Sequence, residues 1–399
     1  MRKREESYEV RQARRDMEDR YDSEIFEDSD DDAWAEEAHA PRKKKRPGAK
    51  RRKRGCLSFL LRKILGLCLV VFGLICLVLS PVKRVPMDKK AISAKTDSLL
   101  YKNVVLYGLD SREGEISGGV RSDVIMIASI HRVTGHTKIV SVYRDTFLQK
   151  ADGTFSKINA GYNGGPEEAV EMLNRNLDLG ITDYVTVNFN SMADIIDALG
   201  GVEIDVKPEE VQEINSFLPG TAKVIGQDPE YIQAAGQQML SGVQAVTYAR
   251  IRSTAGDDFR RAYRQRNVLE AILSKARHAG PKSLFQAATC LTKNVQTSFS
   301  LPVMSLWAMR APLIQTDIMT GFPFSVTTSE RVSGYAGSYV IPVGLRENVI
   351  KLHDVLYGQK NYRPSEKVDA ISGEIESLTG VSAGGNVPEV DTGIYTKTR

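Results

Sequence analysis

Cysteine is scarce in this chain: three of its four, Cys56, Cys68 and Cys76, crowd into one apolar stretch, and only Cys290 stands elsewhere. A lone thiol closes no intramolecular disulfide, and no Cys or His cluster has zinc spacing. The five histidines are scattered, and no G-x-S-x-G elbow supports a Ser-His-Asp hydrolase. A Walker-type glycine loop and the kinase signatures are also missing, which argues against a nucleotide as phosphate donor. Long apolar runs are missing too, with one exception near the N-terminus.

Net charge is only +4, but its distribution is uneven. Asp16 to Glu37 is strongly acidic, and Arg42 to Arg54 holds ten Lys or Arg residues. Such composition buries too little apolar surface to offset the entropy of ordering, so residues 1–56 are expected to form a disordered tail. The exception follows at once: Ile64 to Val82 is 19 residues without a charge. That is enough to cross a hydrocarbon core of about 30 Å. No short charged leader or small-residue cleavage site marks a signal peptide. Residues 57–82 are therefore expected to be an uncleaved transmembrane anchor. The basic run ahead of it places the N-terminus in the cytoplasm and attracts anionic lipid. On that topology the run serves the membrane rather than nucleic acid, and everything past residue 82 lies outside the cell.

Residues 83–99 are polar and read as a stalk. Asn103 to Thr146 then holds three short apolar strands, NVVLYGL, DVIMIASI and KIVSVY, with charges at their joints. Asp110 and Arg112 follow the first strand, Arg121 and Asp123 open the second, and Arg144 and Asp145 close the third. An antiparallel meander would bring all six to one edge of the sheet.

Downstream, Pro166 suits the first position of a helix reaching Leu177, with Glu167 and Glu168 as dipole-complementing charges. Asp183–Phe189 and Val202–Val206 read as strands around a short helix that ends at Gly200-Gly201, which indicates an α/β layered domain with a mixed sheet flanked by helices. Pro208–Ala235 looks irregular. A second charged constellation spans Thr247–Asn267: Arg250 and Arg252 share a face if this is a strand, and Asp257 or Asp258 caps a helix presenting Arg261, Arg264 and Gln265. Val268, Leu269, Ile272 and Leu273 continue as its buried stripe. Residues 281–362 complete the domain, including a strand near Tyr335–Gly344 and a core helix over Leu345–Leu356, and 363–399 is expected to be a flexible tail.

Arginine stays protonated and is a poor general base, but its forked donors suit phosphate and diphosphate. Aspartates among those arginines suit a hard divalent ion. Phosphoryl transfer needs this inventory. Outside the cell, the donor is more readily a lipid-linked diphosphate in the same membrane than ATP.

The motifs NVVLYGLDSR, GVRSDVIMIASI, KIVSVYRDTF, KINAGYNGGPEEAV, ALGGVEIDV and YARIR followed by DDFRRAYRQRNVL, in this order over residues 100–280, resemble the LytR-CpsA-Psr family of cell-envelope proteins. The resemblance implies a phosphotransferase that takes an anionic glycopolymer (wall teichoic acid or capsular polysaccharide) from undecaprenyl diphosphate to peptidoglycan, in an α/β/α domain with an apolar cavity for the polyprenyl chain. By motif, Asp110 and Asp123 would hold Mg²⁺, while Arg121, Arg144, Arg250, Arg252, Arg261 and Gln265 would bind the diphosphate or stabilise charge. Arg112, Asp145 and Arg264 would support them. Arg260 departs from the pattern, standing where the family commonly has a small residue. A pyrophosphatase acting on the same donor, or a non-enzymatic membrane-tethered regulator, are the alternatives.

Overall fold

The computed structural model describes residues 54–88, 90–92, 99–109, 119–252, 257–292, 295–385 and 397–398, without the side chains of 54–62, 64, 257, 397 and 398. The chain divides into two compact units, Met1–Phe59 and Leu60–Arg399, and the second is described below. The acidic and basic tail lies outside the described residues.

Helix α1 (Arg54–Leu79) leads into a short strand, β1 (Lys83–Arg84). Strands β2 (Tyr101–Leu109), β3 (Ser122–His131) and β4 (His136–Val142) follow as the antiparallel meander expected from the sequence, with Val105 opposite Ile127 and Ile127 opposite Val140. After the small hairpin β5 (Phe147–Gln149) and β6 (Phe155–Lys157), a tight 3-10 turn, Ile158–Gly164, feeds helix α2 (Pro166–Leu177). Strand β7 (Asp183–Asn188) returns parallel to β2, followed by helix α3 (Phe189–Ala198). A side lobe comprises strand β8 (Val202–Val206), helix α4 (Pro208–Ile225), strand β9 (Gly236–Leu240) and helix α5 (Gly242–Arg250). Helix α6 (Asp257–His278), helix α7 (Pro281–Cys290), strand β10 (Val295–Thr297), helix α8 (Leu301–Arg310) and strand β11 (Gln315–Phe322) lead to the hairpin β12 (Val326–Val332) and β13 (Tyr335–Pro342). Helices α9 (Leu345–Tyr357) and α10 (Glu366–Thr379) follow, and strand β14 (Lys397–Thr398) is the last described element.

The main sheet runs β1-β10-β7-β2-β3-β4-β11-β14 and mixes parallel and antiparallel pairs. Its centre is buried on both faces, which is why β2 to β4 read as nearly continuous apolar runs rather than alternating ones. On one face Val105, Tyr107, Ile125, Ile127 and Val140 pack against α2, α9 and α10. On the other, Met126, Ala128, Ile139 and Met319 meet Leu269 and Leu273 of α6. The layers are therefore α/β/α. Toward the β1 edge, Val185 and Val187 of β7 pack with Leu79, Val82 and Val295, so the end of α1 joins the same face as α6.

Five sequence expectations need correction. Pro208–Ala235 is not irregular: α4 fills 18 residues of it, with Pro208 in its first turn, Glu210 accepting from the Lys207 backbone N–H at 3.0 Å, and Gly226 closing it at φ 81°. Pro219 and Gly220 inside the helix disguise a regular amphipathic element whose Ile214 and Leu218 are buried. Arg250 and Arg252 do not lie on a strand, because α5 ends at Arg250 and Ile251 turns extended. Residues 83–99 are not a free stalk: β1 pairs with β10, and Ile92 is buried in the main core. Nor is 363–399 wholly a tail, since α10 buries Val368, Ile371 and Ile375 against α2 and α9. Val202–Val206 is a strand, but it pairs with β9 in the side lobe and stays out of the main sheet.

Candidate functional site

Of the six charges expected at the edge of the meander, Asp123, Arg144 and Asp145 come together. Gly108 pairs with Val124 and Leu109 with Ser122, so Asp123 has no partner of its own and sits on a β-bulge. Bulges re-aim side chains beside functional sites, and this one turns Asp123 toward the turn after β4. Gly108 is required at the bulge, because a Cβ there would lie 2.8 Å from the Val124 side chain. Gly108→Ala is expected to cost about 1–3 kcal/mol through overpacking. It should also lower turnover more than that loss of stability alone, as measured by denaturant unfolding alongside activity, because Asp123 moves with Val124.

Arg144 occupies the turn after β4. Its carbonyl accepts from the Asn159 backbone N–H at 3.1 Å, which ties the turn to the KINAG segment. Its guanidinium reaches three carboxylates: Asp123 at 2.9 Å, Asp258 at 3.3 Å and Asp145 at 3.5 Å. Burial works against its charge, but Asp258, Asp123 and Asp145 more than offset this and raise its pKa above the ordinary arginine value. The ring of Phe259 meets Tyr143 edge-on at 4.6 Å, and this contact delivers the start of α6 to the end of β4. One residue earlier, Asp258 bridges Arg144 and Arg261, the latter at 3.2 Å.

Arg261 is almost fully buried. Burial first, then the neighbouring Arg144, lower its pKa to about 10 despite the attraction of Asp258. A cation held in that state gains from an anion placed beside it. Arg252 is about half exposed and lies 3.7 Å from the second oxygen of Asp123. Arg250 stacks over the Phe189 ring at 4.7 Å and donates to Thr221 Oγ1 at 3.2 Å. Arg250, Arg252, Arg261, Asp123 and Gln265 line one pocket of about 340 Å³, whose far wall is Phe217, Gly220 and Thr221 of α4. With Arg144 behind it, four guanidinium groups outnumber the carboxylates of Asp123, Asp145 and Asp258, leaving a net positive field in a partly desolvated site.

A second cavity of about 220 Å³ adjoins the first, with Phe189, Ala249 and Gln265 forming part of both walls. Apart from Tyr107, Asn188 and Gln265 its lining is apolar, with Leu106, Met126 and Leu269 among the contributors.

Not every sequence candidate joins the cluster. Asp110 and Arg112 lie outside the described residues. Arg121 is exposed immediately ahead of β3. Asp145 is shared between Arg144 and Lys157, whose Nζ lies 3.0 Å away. Arg264 does not face the pocket: it donates to Glu210 Oε1 at 2.7 Å and to the Ile251 carbonyl at 3.2 Å, bracing the link between Arg250 and Arg252 from behind. Sequence reasoning missed Asp258 as an ion-pair partner, and it missed Lys157 and the α4 wall altogether. The signals for α4 were Pro208 and Gly226 at its ends.

For a hard cation the fit is partial. Asp123 Oδ2 lies beyond hydrogen-bond reach of Arg252 and keeps lone pairs available, but among the described residues no group of three or more His, Cys, Asp or Glu forms a metal cage.

The fold and site thus define an α/β/α domain in which an arginine-lined pocket adjoins an apolar cavity. The chain belongs to the LytR-CpsA-Psr family, whose model matches residues 82–340. Among similar proteins, the polyisoprenyl-teichoic acid–peptidoglycan teichoic acid transferase TagU of Bacillus mycoides is 30% identical over 224 residues, covering 55% of this chain and 67% of that protein. TagV of Bacillus subtilis, named for the same transferase activity, is 29% identical over 52% of this chain and 51% of its own length. In structure, a Streptococcus agalactiae protein superposes with a TM-score of 0.55 at 21% identity, covering 67% of this chain and 90% of that one. A protein from Enterococcus faecalis titled a transcriptional regulator gives 0.53 at 21% identity, covering 73% and 100%; these two likenesses concern the fold.

Proposed function

We propose that this chain is a membrane-anchored phosphotransferase that moves an anionic glycopolymer, wall teichoic acid or capsular polysaccharide, from an undecaprenyl-diphosphate carrier to peptidoglycan. One observation carries the reading: the arginine pocket and the apolar channel share a wall at Phe189, Ala249 and Gln265. A lipid diphosphate has the same two-part character, a multiply charged head joined to a long apolar tail. The names of the TagU and TagV relatives agree with it.

In this reading Arg144, Arg250, Arg252 and Arg261 hold the diphosphate through forked hydrogen bonds, and Gln265 sits where head meets tail. The acceptor hydroxyl oxygen, the muramic acid C6 hydroxyl on the family pattern, bonds to the glycan-bearing phosphorus. The bond from that phosphorus to the bridging oxygen breaks, the lipid monophosphate leaves, and the hydroxyl proton passes to a base. Charge accumulating on the bridging and leaving oxygens is met by guanidinium groups already fixed by Asp123 and Asp258, so little reorganisation accompanies it. Asp123, with Asp110, would hold Mg²⁺. That ion would supply further neutralisation of the diphosphate.

Among the described residues no helix is long and apolar enough to cross a membrane. The anchor reading rests instead on the uncharged run Ile64–Val82 and on exposure around the described part of α1, where Leu65, Leu67, Leu69, Leu74 and Leu77 are each more than half exposed. Apolar side chains exposed over most of a helix surface, outside the face that packs on the domain, are expected in lipid rather than in water.

The decisive assay supplies a purified lipid-diphosphate-linked glycan with and without a peptidoglycan acceptor. Product joined to the acceptor supports the transferase, whereas glycan phosphate released equally in both arms means a pyrophosphatase. Ala249→Trp should plug the junction between pocket and channel. It is expected to reduce turnover of a polyprenyl donor at least about tenfold, equivalent to about 1.4 kcal/mol. A short-chain donor analogue should suffer less, and equal losses would reject the channel as the tail site.

A further inference from the structure

We infer that helix α8, with the turn after it and the tip of the β3–β4 hairpin, forms a second lipid-facing surface that rests on the outer leaflet of the membrane. The inference rests on the anchor reading of α1 and extends it to the globular part. From Ser298 to Ile314 the only charged residue is Arg310. Yet α8 is a surface helix: Val303, Leu306 and Met309 are 40, 52 and 38% exposed, and Leu313 just beyond it is 61% exposed. Val133, at the hairpin tip, is 76% exposed. Arg310 holds that tip against the helix end by donating to the Arg132 and Val133 carbonyls, and its guanidinium lies 5.7 Å from the Trp307 ring.

A water-exposed helix ordinarily carries charges on its outer face, and this one carries apolar side chains there instead. Its inner face indicates the occupant. Ser305 is buried and receives a hydrogen bond from Cys76 Sγ at 3.2 Å, and Leu301 and Met304 pack with Ile75, Leu79 and Val82. The patch is thus continuous with the exposed leucines of α1, Leu74 and Leu77. Lys83 and Arg84, both exposed directly after α1, sit where a headgroup layer would meet the helix end. An apolar outer face flanked by a tryptophan and cations is the composition of an interfacial helix, which settles about 5–10 Å into the headgroup boundary.

The test uses the full-length chain reconstituted into phosphatidylcholine–phosphatidylglycerol vesicles, with Trp34→Phe making Trp307 the sole tryptophan. Lipids carry a nitroxide either near the headgroup or near the end of the acyl chain. Trp307 is expected to be quenched strongly by the shallow label and weakly by the deep one, and Leu306→Glu should reduce that quenching. A parallel variant, Trp34→Phe/Trp307→Phe/Leu69→Trp, reports on α1 and should be quenched by the deep label. Deep quenching at position 69 with no quenching at Trp307 overturns the inference while leaving the anchor intact. Absence of quenching at both positions overturns both. Emission from Trp307 that shifts blue with protein density, without lipid quenching, assigns the patch to a second copy and likewise overturns it.

Discussion

Arg144→Ala is expected to lower the rate of glycopolymer transfer roughly 10³-fold, about 4 kcal/mol of transition-state stabilisation. The size follows from how the guanidinium is held. Asp123, Asp258 and Asp145 fix it from three directions, so it contributes charge to the pocket without first having to reorient. Removing it also leaves Asp123 and Asp258 facing the substrate with less compensation, which reverses part of the local field. Arg144→Lys separates geometry from charge: it keeps the charge, loses the fork, and should recover only a minor part of the rate. The measurement is single-turnover transfer from the lipid-linked donor, with a thermal melt of each variant alongside. A normal rate in the folded Ala variant would remove Arg144 from the site.

The second large effect concerns stability. Glu210→Ala should destabilise the domain by about 3–5 kcal/mol, because it strands the Arg264 guanidinium in a buried position. The two side chains are 9 and 6% exposed and 2.7 Å apart. Denaturant unfolding would read the loss. Replacing both partners, as Glu210→Leu with Arg264→Met, should restore most of it, since apolar residues of similar volume often substitute for a buried pair. The double variant should nevertheless bind diphosphate less well than the native chain. Arg264 also donates to the Ile251 carbonyl, between the two pocket arginines. Full recovery of both stability and binding would confine Arg264 to a packing role.

The meander was legible because β2 to β4 are apolar runs broken by charge and glycine, and the meeting of Asp123 with Arg144 follows from antiparallel pairing alone. The bulge that aims Asp123 was not, since it depends on which residue of β3 stays unpaired opposite Gly108-Leu109. Asp258 reads locally as a cap for α6. Its contact with Arg144 arises from the distant ring pair Tyr143–Phe259, a tertiary fact with no local signature. Arg250 and Arg252 do share a pocket, but a helix end followed by one extended residue brings them there rather than a strand. Helix α4 was hidden by Pro219 and Gly220, breakers whose local preference the burial of Ile214 and Leu218 overrides.

Val185 and Val187 have a consequence for how substrate travels. Both valines line the channel, and both touch the cluster in which the end of α1 is seated. On the proposed reading, a carrier sliding along the anchor reaches the arginines by lateral diffusion within one leaflet, without its tail being wetted. Each methylene-sized piece drawn through water would cost about 0.8 kcal/mol, so even a short aqueous gap between bilayer and channel would slow capture steeply. Encounter then depends on how densely donors populate the surrounding lipid sheet, and carriers dispersed in detergent micelles should be captured far less efficiently than the same number confined to the protein's own bilayer.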